Sequence, residues 1–278
     1  MACSPRLMLL LLFASALVAQ QPARSLKSET SKVTEGAPSN DSALAADAIR
    51  DSYYHPDKLA GIDCAVSVDW PSFFNALKAT PATDRLQALQ GLKVKAQATR
   101  DKNPEVTFDW VGGPIDNKQQ LEDGLKQMLG GFYQLYWSMV ASPPIASSAE
   151  ISKVEHLQDG GIKIYSSSQN TNIVIITDKD RIPNHYTLKS PAINAEVDVH
   201  YIASPKPVPG DPRRISGIDE SIQMGTSTIN VNVNLDYQAV EGFYIPEHVS
   251  YDLVGAYSIS MDFSGCSVSK TVSQAAVK

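Results

Sequence analysis

The chain has few cysteines, little clustered positive charge and no long apolar run, and each shortage excludes a class of protein. Three cysteines occur among 278 residues, and no second Cys or His lies close in sequence to Cys64 or Cys266. A zinc site built on those thiols is therefore excluded. Lys and Arg total 24 against 30 Asp and Glu, a formal charge of -6. No basic run or basic amphipathic helix occurs, which excludes nucleic acid as a partner and electrostatic docking to anionic membranes. The one apolar run, Leu7 to Phe13, is too short to span a bilayer, so no integral membrane helix is expected. Alternating strands raise the possibility of a membrane-embedded barrel. The long amphipathic helix, the Asn- and Asp-rich polar faces and the lack of a terminal aromatic strand argue against it. Phosphate-binding loops, the Gly-x-Ser-x-Gly elbow and the paired-His zinc patterns are all missing, and no cofactor is expected.

What is present begins with Arg6, the apolar run and small residues up to Ala19, the pattern of a secretory signal peptide over residues 1–19. Its removal takes Cys3 and Arg6 and leaves a formal charge of -7. Export to the periplasm or the extracellular space follows. There the remaining Cys64 and Cys266 form either a disulfide or two separately buried thiols, and spacing along the chain does not decide which. Residues 20–42 are polar and read as a flexible tether, with Asn40-Asp41-Ser42 a formal glycosylation acceptor. A single domain is expected over 43–268, followed by a tail over 269–278.

The clearest structural signal is Ile229-Asn230-Val231-Asn232-Val233-Asn234-Leu235-Asp236, a strict period of two. Alternate side chains of a strand point to opposite faces, so this segment buries one face and wets the other. The pattern repeats at 62–70, 92–99, 106–110 and in nine segments from Ile151 to Ser267, joined by turns rich in Gly, Pro, Asn and Asp. The turn Asp101-Lys102-Asn103-Pro104 joins two of the strands, and Gly112-Gly113-Pro114 ends that unit. A leading helix should start at Ser42 and bury Leu44, Ala48, Ile49 and Tyr53. Phe73, Phe74 and Leu77 mark a short helix or turn. One long helix, capped by Asn117 or Asp116, runs to about Val140, where Ser142-Pro143-Pro144 stops it. It carries Leu121, Leu125, Met128, Leu129, Phe132, Leu135, Tyr136 and Met139 at three- and four-residue steps. Gly130-Gly131 at its centre suggests a kink or a close backbone approach. Ser204 to Arg214 reads as an extended Pro-rich loop.

About a dozen strands with one apolar face imply a mostly antiparallel β fold with a few helices (α+β). The sheet should be strongly bent, or an incomplete β-barrel, wrapped around helices. Phe73, Phe74, Trp110, Leu125, Met128, Phe132 and Tyr136 are the candidate ligand-binding residues; plain core is the competing reading. His185, Asp198 and His200 should share one face of a hairpin. Metal binding or general-base chemistry there competes with a solvated surface patch. Asp219-Glu220 and Asp178-Lys179-Asp180 read as a strand start and a turn rather than an acid/base pair.

The element order, Val106-Thr107-Phe108-Asp109-Trp110 and Val240-Glu241-Gly242-Phe243-Tyr244-Ile245-Pro246-Glu247-His248-Val249 together resemble the periplasmic lipoprotein carriers LolA and LolB. No position matches the carriers' functional arginine, and no family residue is carried over. The resemblance implies a carrier for a lipid or acylated ligand. The alternative is a non-enzymatic structural protein of the cell envelope, with a filled core and an envelope protein partner.

Overall fold

The structure, a computed structural model, describes residues 40–52, 54–100, 102–111, 117–141, 151–168, 171–191, 194–202 and 213–271. The signal peptide, the tether up to residue 39, Tyr53, Gly112-Gly113-Pro114, Asp116, Ser142-Pro143-Pro144, the Pro-rich loop up to 212 and the tail from 272 lie outside the described residues.

Twelve strands form one antiparallel sheet in the order β3-β2-β1-β12-β11-β10-β9-β8-β7-β6-β5-β4. They are β1 (Leu59–Val68), β2 (Leu92–Thr99), β3 (Lys102–Trp110), β4 (Ile151–His156), β5 (Ile162–Ser168), β6 (Thr171–Thr177), β7 (Pro183–Lys189), β8 (Asn194–Tyr201), β9 (Ile215–Met224), β10 (Ser227–Val240), β11 (Phe243–Leu253) and β12 (Tyr257–Lys270). The sheet is not closed, because β3 and β4 remain its two edges. Helix α1 (Asn40–Ser52) packs on β4, α2 (Trp70–Ala76) on β12, and α4 (Lys118–Leu135) on β3; α3 is Thr83–Gln90. Both edges thus have a helix against them, which blunts their tendency to recruit a foreign strand.

Register fixes which side chains meet. One inward row crosses nine strands: Tyr257, Leu253, Val231, Glu220, Val197, Tyr186, Ile175, Ile164 and Val154. All but Leu253, Glu220 and Val154 are buried, and most of the row joins the helices in one core cluster. The turn Glu241-Gly242 joins β10 to β11 with φ of 49° and 85°. Two left-handed residues give a turn whose twist matches the strands, and glycine accepts that conformation at no steric cost.

Several expectations need correction. Helix α1 begins at or before Asn40, so residues 40–42 are helical, and Ser42 sits on the buried face instead of capping. That face is Ser42, Ala45, Ala46 and Ile49, while Leu44 is 65% exposed. The stripe of small residues, with its i, i+3, i+4, i+7 spacing, is the one that packs inward. Trp70 opens α2 instead of ending β1, with Asp69 capping it by accepting from the Ser72 amide at 3.1 Å. Helix α3 had no sequence assignment, because Leu86 and Leu89 are its only large apolar residues. Strand β3 begins at Lys102, so Lys102, Asn103 and Pro104 lie inside it instead of in the turn; an edge strand tolerates the missing N–H of Pro104, and Asp101 lies outside the described residues. Asn117 has φ 62° and makes no side-chain cap. Helix α4 runs as regular α-helix through Gly130-Gly131, and a methyl on Gly130 would meet nothing within 4 Å, so no backbone approaches there. Strand β12 extends to Lys270, two residues into the expected tail.

Candidate functional site

The long helix ends in a π-helical turn, Tyr136–Val140. Single π turns recur where a helix is locally rearranged for a purpose. Leu125, Phe132 and Tyr136 are 4%, 5% and 1% exposed, and Met128 is half-buried beside them. The Phe132 ring lies 5.5 Å from that of Phe263, and Tyr133 meets Phe263 edge-on at 6.2 Å. The Tyr136 hydroxyl donates to the Tyr244 carbonyl at 3.4 Å, and burial raises its pKa well above the ordinary phenol value. Trp110 packs from β3, donating its indole N–H to Glu122 at 2.7 Å. Phe73 and Phe74 belong to a separate aromatic group on α2, with Trp70 and Tyr257. All seven candidates pack in or against one core cluster, with Leu125, Met128, Phe132 and Tyr136 along the long helix, Trp110 at its N-terminal end, and Phe73 and Phe74 on α2.

One residue that the sequence pattern does not single out holds the end of the long helix, the plug of the core, in place. Arg100, at the corner between β2 and β3, donates from Nη2 to the carbonyls of Pro56 at 3.1 Å and Ala141 at 3.0 Å. Its guanidinium also stands 5.8 Å from the Trp137 ring centre. A single side chain thus ties the sheet corner to the segment after α1 and to the end of the π turn. The sequence signal was faint: an arginine closing a strand whose outward positions hold Lys and Gln. The same region carries three buried polar atoms without a hydrogen-bond partner among the described residues, Arg100 Nε, Tyr133 Oη and Trp137 Nε1. Each such group costs about 1–3 kcal/mol when desolvated, which weakens the contact between the long helix and the sheet.

The His185, Asp198 and His200 patch comes apart. His185 Nδ1 meets Asp198 at 2.7 Å, as strand register requires, but His200 Nε2 pairs with Asp219 at 2.7 Å. His248 Nδ1 makes a third such pair with Asp262 at 2.7 Å. These dyads lie on the outward face, and among the described residues no group of three His, Cys, Asp or Glu is arranged to hold a metal. Asp219 and Glu220 sit in mid-strand, not at a strand start, and point to opposite faces, so they form no carboxylate pair. Glu220 lies inward between Val197 and Val231, and burial raises its pKa above the ordinary carboxyl value. Asp178 accepts from the amides of Asp180 and Ile182 at 2.8 and 3.0 Å, the work of a turn residue.

Cys64 and Cys266 are joined by a disulfide. The two strands pair in mid-sheet with a register shift there: Asp63 faces Ser267 and Ala65 faces Ser264. Cys64 thus stands opposite two residues, Gly265 and Cys266, and Gly265 takes φ 56° to make the bulge.

A cleft of about 450 Å³ opens elsewhere, lined by Ile202, Arg214, Asp236, Tyr237, Tyr244, Glu247, His248 and Asp262. None of the ligand-binding candidates from the sequence lines it.

No family model matches the chain, and no curated protein matches it. Among solved structures it is similar to one described as the crystal structure of MucB in complex with MucA(peri). The identity is 9%, with 84% of this chain and 94% of that chain covered and a TM-score of 0.19, too low to carry an argument about fold or function.

Proposed function

We propose that this chain is an exported, non-enzymatic binding protein that holds an apolar moiety, an acyl chain or similar, between the sheet and the α4 plug. The observation that carries the reading is the seam. The two sheet edges are not hydrogen-bonded to each other; α4 packs on one and α1 on the other, and Arg100 ties the segments that follow these helices to the sheet corner. Displacing the plug opens the interior without breaking a strand ladder. Transfer then needs no covalent chemistry: each buried CH₂ contributes about 0.8 kcal/mol, and release follows from moving the plug. The signal-like N-terminus and the Cys64–Cys266 bond support an oxidising compartment. The resemblance of the sequence to LolA and LolB points the same way.

A second reading has its own support. Leu125, Phe132 and Tyr136 are at most 5% exposed, as in a filled core, and a scaffold of the cell envelope needs nothing more. Native mass spectrometry of residues 20–278, followed by organic extraction, separates the two. A discrete added mass that extracts as lipid supports the carrier. A clean apo mass with no uptake of a fluorescent fatty acyl probe overturns it in favour of the scaffold.

A further inference from the structure

The Arg214 cleft is built from three strands, β10, β11 and β12, and from Ile202 and Arg214, which lie just after β8 and just before β9; its volume of about 450 Å³ is that of a small-molecule site. A β-bulge makes room for it. Asp236 faces His248 and Tyr237 faces Pro246, so Glu247 has no opposite residue and the strand twists there. Arg214 is fixed at its base: its carbonyl accepts from the Ile202 amide at 2.8 Å, and the Arg213 carbonyl accepts from the Tyr54 amide at 2.7 Å. The guanidinium lies 4.0 Å above the centre of the Tyr244 ring. Tyr244 is itself held edge-on to Tyr54, with ring centres 5.6 Å apart and the Tyr244 amide donating to the Tyr54 hydroxyl at 2.8 Å.

The charges in this cleft are only partly matched. Among the described residues no carboxylate lies within ion-pair distance of Arg214, and its buried Nε–H has no acceptor. Asp262 is taken by His248 at 2.7 Å, while Asp236 and Glu247 pair with no cation among the described residues. The Tyr237 hydroxyl is committed to the Ile215 carbonyl at 2.6 Å. A stacked, oriented guanidinium suits a planar or tetrahedral oxyanion, which it takes through two N–H groups. A simple anion would face two unpaired carboxylates, and a simple cation would face Arg214. A ligand with both charges matches Arg214 and the two exposed carboxylates at once.

We propose that this cleft binds a small zwitterion, its carboxylate or phosphodiester on Arg214 and its ammonium on Asp236 and Glu247. The site does not depend on whether the core holds an apolar ligand. Two sources share that chemistry, free amino acids and ethanolamine phosphodiester headgroups. Titration calorimetry with leucine and with glycerophosphoethanolamine tells them apart, with glycerol phosphate and ethanolamine as single-charge controls. At least one zwitterion should bind below about 1 mM, and each single-charge control about tenfold more weakly. Arg214→Gln should weaken the zwitterion at least about tenfold. Asp236→Asn, at an exposed position that should leave folding intact, should weaken it while sparing glycerol phosphate. Failure of both zwitterions to bind at about 10 mM, equal binding of a single-charge control, or undiminished binding to Asp236→Asn overturns the proposal.

Discussion

Arg100 ties three separate segments of the chain together. It makes two charge-assisted bonds to carbonyls on different segments and stands beside an indole. Arg100→Ala should lower stability by about 3 kcal/mol in urea unfolding. Lysine cannot reproduce the planar fork and should recover only part of that. If the plug moves as proposed, the alanine variant should also show faster amide exchange over residues 118–141 than over β10 and β11. Uniform exchange across both regions would count against a movable plug. Glu220 gives a pH signature. Its folded-state pKa is raised by desolvation, so the folded protein holds that proton to higher pH than the unfolded chain. Stability contributed by the neutral acid is present below the unfolded carboxyl value and falls as pH rises from about 4 through the raised value. Glu220→Gln should flatten that part of the curve and raise the urea midpoint at neutral pH; an unchanged slope would assign the dependence to other groups. Sequence alternation alone puts Glu220 on the apolar face of its strand, with Ile218 and Ile222. Only pairing with Val197 and Val231 reveals how apolar its surroundings are.

The long helix was legible as an element because its stripe recurs at helical spacing and Asn117 and Val140 bound it closely. Gly130 departs from expectation. Gly130 looks like a packing contact in sequence, yet nothing lies within 4 Å of a methyl built there. Gly130→Ala should therefore stabilise the protein by about 1 kcal/mol, seen as a rise of about 2–4 °C in Tm. Gly161 behaves in the opposite way, since its added carbon would stand 2.2 Å from the Thr177 carbonyl oxygen. Gly161→Ala should destabilise, and a melt that failed to fall would contradict the tight β5–β6 approach. The strands were legible for a different reason: with one face wet and one dry, a one-residue slip would expose the whole apolar set. Helix α3 escaped notice because it is short and carries little apolar surface.

At the scale of the molecule, the order of strands explains why one covalent bond matters. Cys64 and Cys266 are separated by 202 residues, but β1 and β12 are neighbours in the sheet. Closing so long a loop restricts the unfolded chain, by about 5 kcal/mol as an upper figure. The double variant Cys64→Ala/Cys266→Ala, or reduction of the parent, should lose about 2–5 kcal/mol in urea unfolding. An unchanged midpoint would mean that the bond adds nothing to the β1–β12 ladder.

The sequence by itself determined the strands, the long helix, the polar and apolar faces, and an open sheet wrapped around helices, because periodicity and burial are local consequences of side-chain order. The tertiary structure decided which surfaces meet. It placed Arg100 on the carbonyls of Pro56 and Ala141, paired the histidines with aspartates in separate dyads, and assembled Arg214, Tyr244, Asp236 and Glu247 around a cleft where β10 and β11 meet the start of β9. Those contacts depend on strand order and on a bulge that shifts register by one residue, and neither leaves a periodic trace in the sequence.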